Sequence, residues 1–143
     1  MKKTQSGRSM IEMLGVLAII GVLSVGGLMG YQRAMRNNRV NDAMEYFRHA
    51  RVAYEEGRTS GVIGAANMTC VTLLQGDNMP TGMASCRCQN GSCFVALNTE
   101  ETIKEFATRI DPTLVGGIED DINHGVAASN IILRVDEDGS WHH

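Results

Sequence analysis

From Met13 to Gln32 the chain runs MLGVLAIIGVLSVGGLMGYQ, twenty residues without a charge. A helix of that length is about 30 Å long, the thickness of a bilayer's hydrocarbon core, so a retained transmembrane helix is expected. A secretory signal peptide would share the basic start, here Lys2, Lys3 and Arg8. Its apolar part usually stops after about 7 to 15 residues at a small-residue cleavage site, whereas this run is longer and leads into a helical pattern. Charge leaves the orientation open, because Arg33, Arg36 and Arg39 follow the run as closely as the leader's cations precede it. The cysteines decide it. Cys70, Cys86, Cys88 and Cys93 form an even, clustered set behind the apolar run, which favours export of the C-terminal part to an oxidising compartment.

At 143 residues there is room for one small domain with a helical appendage. Aromatic residues are only 5% of the chain, so a modest core of Val, Ile, Leu, Met and Ala is expected, and it needs covalent help. The formal charge of -3 gives no argument for a nucleic-acid partner. Beyond Arg33, Val40, Ala43, Met44, Phe47, Ala50 and Tyr54 recur at spacings of three and four. They predict that the helix continues in water with one apolar stripe. Gly57 is expected to end it. Two helices broken near Gly26, Gly27 and Gly30 are the alternative.

Residues 58–92 read mostly as loop, with Cys70 to Leu74 a possible short strand. Asn90-Gly91 is a strong hairpin signal and Cys93 to Leu97 has strand composition. A helix follows, with Asn98 as cap, Glu101 three residues on, Ile103, Phe106, Ala107 and Ile110 on one face, and Asp111-Pro112 at its end. Then come a Gly-rich acidic loop, a strand over Ser129 to Val135 and a terminal turn at Asp138-Gly139. The expected fold class is α+β: a long N-terminal helix, half transmembrane and half amphipathic, packed on a small antiparallel sheet with a short second helix and disulfide staples. The boundaries are a leader over 1–7, a hydrophobic helix over 8–32, an amphipathic continuation over 33–57 and a head over 58–143.

The junction of leader and apolar run reads Gly7-Arg8-Ser9-Met10-Ile11-Glu12-Met13-Leu14. A basic leader ending in Gly, a carboxylate five residues on and an uninterrupted apolar helix resemble the N-terminal signal of type IV pilins and type II secretion pseudopilins. The resemblance is specific over residues 1–35 and architectural beyond. It implies cleavage after Gly7 by a prepilin peptidase, methylation of the new N-terminus at Arg8, and Glu12 as the fifth residue of the mature chain, where the family places its filament-assembly glutamate. It also implies a homo-oligomeric helical filament, whose subunits sit in membrane lipid before inner-membrane assembly machinery polymerises them, with the head outside the cytoplasm on an extracellular pilus or periplasmic pseudopilus. Two departures stand out. Arg8 occupies a place where the family usually has Phe or Met, and the family's kinking Pro is absent, with Gly26-Gly27 and Gly30 left to supply flexibility.

Physics independent of the resemblance also marks Glu12. A carboxylate near the bilayer core costs several kcal/mol unless it is paired, so an acid at a span's edge invites a partner. In a stacked bundle that partner is a neighbour's cationic N-terminal amine. The plainer alternative is that Ser9-x-x-Glu12 is a capping box on an ordinary anchor helix. Gly26-x-x-x-Gly30 admits close helix packing.

Three cysteine pairings are possible. A two-residue turn at Asn90-Gly91 puts Cys88 opposite Cys93 at about 4.5 Å between Cα atoms, which suits a disulfide and leaves Cys70 with Cys86. The runner-up joins Cys70 to Cys88 and Cys86 to Cys93. A zinc site would need paired C-x2-C knuckles that are missing, and no metal or cofactor is expected. Glu119, Asp120 and Asp121 read as a solvated acidic loop, since calcium loops alternate their ligands. His49 is placed on a solvated face, and His142 and His143 in a tail. No nucleophile motif or phosphate loop is present, so a structural subunit is expected, not an enzyme. The alternative is a single-span anchored binding or sensor domain that does not polymerise.

Overall fold

The computed structural model describes residues 6–64 and 67–143, with side chains from Ser9 onward. Most of the expected leader, residues 1–5, therefore lies outside the described residues. Packing divides the chain into two units, one up to Asn37 and one over Asn38–His143, and each is described by itself. Helix α1 (Ser6–Thr59) is a single element with no break at its glycines.

In the second unit, α1 buries most of the expected stripe: Val40, Ala43, Phe47, Ala50 and Tyr54 are each at most 3% exposed, and Met44 is half-buried. The stripe forms one core with alternate residues of an antiparallel sheet whose strand order is β1 (Met68–Thr69), β2 (Met83–Gln89), β3 (Ser92–Leu97), β4 (Leu133–Val135) and β5 (Trp141–His142). The sheet's period of two explains the selection: Cys86, Cys88, Val95, Leu133 and Val135 point inward, while Arg87 stacks on Phe94 outside, 5.3 Å from the ring centroid. The fold class is α+β, as read from the sequence.

The β2–β3 turn is made by Asn90 and Gly91 at φ 53° and 88°, the two positive values that a tight hairpin turn needs. Its register places Cys88 against Cys93. Their Cα atoms are 4.1 Å apart, and the disulfide forms there, while Cys70 bonds to Cys86 at 5.4 Å. The Tyr54 hydroxyl, from the far end of the helical stripe, accepts the Gly91 N–H at 3.3 Å and ties the turn to α1.

Several local expectations are corrected. Gly57 does not end α1. It allows Ile63 to fold back, since a Cβ there would stand 2.3 Å from the Ile63 Cδ1, and the chain turns instead at Gly61 with φ 72°. Cys70 to Leu74 is not a strand but a helical turn, α2 (Cys70–Leu73), because Thr69 Oγ1 accepts the Thr72 N–H and starts a helix. Helix α3 (Glu100–Ile110) is capped by Thr99 with Thr102, not by Asn98 with Glu101. Asn98 is committed to the Met83 carbonyl at 3.3 Å, whereas Thr99 and Thr102 exchange side-chain and backbone hydrogen bonds reciprocally.

The Gly-rich acidic loop is a helix, α4 (Leu114–Asn123). Leu114 and Ile118, one turn apart, bury their side chains, and that packing outweighs the propensity cost of Gly116 and Gly117. The strand expected over Ser129 to Val135 shortens to β4, with Ala128–Asn130 in a 3-10 turn. Of the two residues expected as a tail, His142 joins Trp141 in β5, hairpinned to β4 through Gly139 at φ 88°.

Candidate assembly surface

In the first unit every described side chain from Ser9 to Ala34 is exposed. Ile11 is 73% exposed, Leu17 63% and Leu28 60%, and apolar residues occupy all sides of the helix. By length and composition this is a helix that can cross a membrane. Fourteen large apolar side chains between Met10 and Tyr31 lie open. At roughly 1.5 kcal/mol or more each, leaving them in water costs on the order of 20 kcal/mol, so lipid or other helices must cover them.

Glu12 is the single charge on this surface from Ser9 to Gln32. Its side chain is exposed and makes no hydrogen bond or ion pair among the described residues. Because α1 is already helical at Ser6, Ser9 lies inside the helix and is not its N-cap, which removes the capping-box account of Ser9-x-x-Glu12. Among the described residues nothing gives this acid a local role.

At 3.6 residues per turn, Gly30 lies five turns beyond Glu12 on the same face, with Ile19, Leu23 and Gly26 between them. Gly15 and Gly27 flank that face. Arg8 is one turn before Glu12 on the same side, and Gly7 falls on another. A Cβ added at Gly15, Gly26, Gly27 or Gly30 would meet nothing of this chain within 4 Å. This face therefore carries one acid near its start and, at Gly26 and Gly30, a low stretch on which another backbone can lie closely. The wheel position was legible in the sequence once a single unbroken helix was assumed.

The disulfide cysteines belong to the second unit, where all four are buried and shape the sheet. Among the described residues no cluster of His, Cys, Asp or Glu could hold a metal. His49 is exposed, as expected, and Glu119 and Asp120 are exposed on α4.

The sequence missed a second surface. Between α1 and α3 lies a cleft of about 310 Å³. Its floor is Phe47, Phe106 and Trp141, with Trp141 5.5 Å from Phe47 and 6.1 Å from Phe106 between ring centroids. Arg48, Arg51 and Arg109 stand around it. The signal was the Trp two residues after Gly139, on what proved to be the last strand.

Across an alignment of 144 positions the chain is 26% identical to a probable minor fimbrial protein of Dichelobacter nodosus, covering 98% of this chain and 87% of that one. No family model and no solved structure matches the chain.

Proposed function

We propose that the chain is a fimbrial subunit of the type IV pilin kind, held in the membrane by α1 before assembly and polymerised through the same helix afterwards. The observation that carries the reading is Glu12: a lone acid, without a partner among the described residues, on the face where Gly26 and Gly30 leave room for a second helix. Cleavage after Gly7 by a prepilin peptidase would place a new amine, at Arg8, one helical turn before Glu12. The amine of one copy then pairs with Glu12 of the next, neutralising both inside the bundle and fixing the axial register. The name of the fimbrial relative supports the same class. In this reading residues 38–143 stand outside the cytoplasm, where both disulfides persist, and inner-membrane machinery drives assembly. Nothing in the reading calls on catalysis.

Mass spectrometry of the N-terminus of protein taken from its native host tests it. A chain starting at methylated Arg8 is expected. An intact Met1 would point instead to an anchored domain that does not polymerise, and a start beyond Gly30 to a cleaved secretory signal.

A further inference from the structure

The head has an acidic end and a basic cleft at opposite ends of α3, about 16 Å apart along an eleven-residue helix. At its start are Glu100 and Glu101, and against it stands Glu119 of α4, followed by Asp120 and Asp121. Lys104 is the cation held among them, at 2.8 Å from Glu100 and 3.5 Å from Glu119. At its far end Arg109 joins Arg48 and Arg51 around Trp141.

The three arginines differ. Arg51 is bonded to Glu55 at 3.0 Å and to the Asp136 carbonyl at 3.3 Å, and Arg109 to Glu105 at 2.9 Å and to Asn41. Arg48 is exposed and has no bond or ion pair among the described residues. An unpaired guanidinium beside a half-exposed Trp and two Phe rings has the composition of an interface hot spot, with an open position for an anion.

We infer that this cleft receives the acidic α4 segment Glu119–Asp121 of a second copy, with Arg48 of one head against Asp120 of the next. Charge selects the occupant. Residues 38–143 carry fifteen acidic against eight basic side chains, so a long polyanion is repelled beyond the cleft itself. A second copy brings a short acidic patch, and the Asp120 side chain is 74% exposed, with the His124 Nδ1 3.5 Å from its carboxylate. Because cleft and patch are different surfaces, the contact is head to tail and propagates instead of closing into a dimer. The inference rests on the filament reading and adds to it a contact between heads, independent of Glu12.

Trp141 is the only tryptophan, so its fluorescence reports the cleft directly in the full chain. Filaments of the wild-type chain and the same protein dispersed in detergent are compared by acrylamide quenching. The quenching constant is expected to fall at least about twofold on assembly, as a group at an interface core loses solvent. Arg48→Glu and Asp120→Arg are each expected to cut the sedimentable filament yield about fivefold, and the double variant to recover most of it. Both positions are exposed, so the folded head tolerates either change. Filaments that form while Trp141 stays as quenchable as in detergent, or a double variant no better than the singles, overturn the docking alone. A wild-type chain that forms no filaments in its native host overturns the filament reading and this inference with it.

Discussion

The two disulfides close loops of different length, and their stabilities should differ accordingly. Cys70–Cys86 spans a separation of 16 residues and Cys88–Cys93 one of 5. Loop-closure entropy then assigns about 3 kcal/mol to the first and about 2 kcal/mol to the second. All four cysteines are at most 6% exposed, so replacing either pair by alanine leaves comparable small cavities, and the difference isolates the loop. Trp141, packed between Phe47 and Phe106, reports the docking of α1 and α3 on the sheet, and its emission can be followed against temperature in detergent. For a domain of this size about 1 kcal/mol is worth about 4–8 °C. Cys70→Ala/Cys86→Ala should therefore melt about 4–8 °C below Cys88→Ala/Cys93→Ala, with both well below wild type. If the short-loop variant melted at the same temperature as the long-loop one, or lower, the entropic account would be refuted. The Cys88–Cys93 staple would then act through the geometry of the hairpin.

Gly91→Ala forces a Cβ into a backbone at φ 88°, close to the Arg58 guanidinium and the Glu137 carboxylate, and should cost about 1–3 kcal/mol in denaturant unfolding. Ala50→Leu overfills the seam between α1 and the sheet, where Ala50 is fully buried, and should cost about 1–3 kcal/mol in the same assay. Asp111 accepts from the Thr113 hydroxyl at 2.7 Å and from its N–H at 3.0 Å, and these bonds, the hydroxyl first, hold its pKa below the ordinary carboxylate value. A depressed folded-state value means that its contribution is present at neutral pH and is lost as pH falls through the folded pKa. Thr113→Val should move the Asp111 titration, followed by carboxyl NMR, upward toward the ordinary range.

Much of the fold is readable from side-chain spacing, because long periodic patterns need no tertiary information. The stripe from Val40 to Tyr54 named the buried face of α1, and Asn90-Gly91 fixed a hairpin register that set Cys88 opposite Cys93. Elements decided by competition were not readable. Helix α4 holds two glycines and three acids in ten residues, and only the pockets that receive Leu114 and Ile118 make it a helix. Gly57 has the look of a helix stop, but its missing side chain serves Ile63. The cap of α3 went to Thr99 because Asn98 was needed by the Met83 carbonyl, a contact fifteen residues away in sequence. The face carrying Glu12, Gly26 and Gly30 follows from the helical period alone, whereas the Arg48 and Trp141 cleft joins three elements that no local pattern connects.

The account stands on Glu12 having its partner on another copy of the chain. The direct measurement is the yield of sedimentable filaments from the native host carrying Glu12→Ala, normalised to the membrane content of the same protein. Loss of filaments with the subunit still inserted and folded is the predicted result. Filaments at the wild-type level would contradict it.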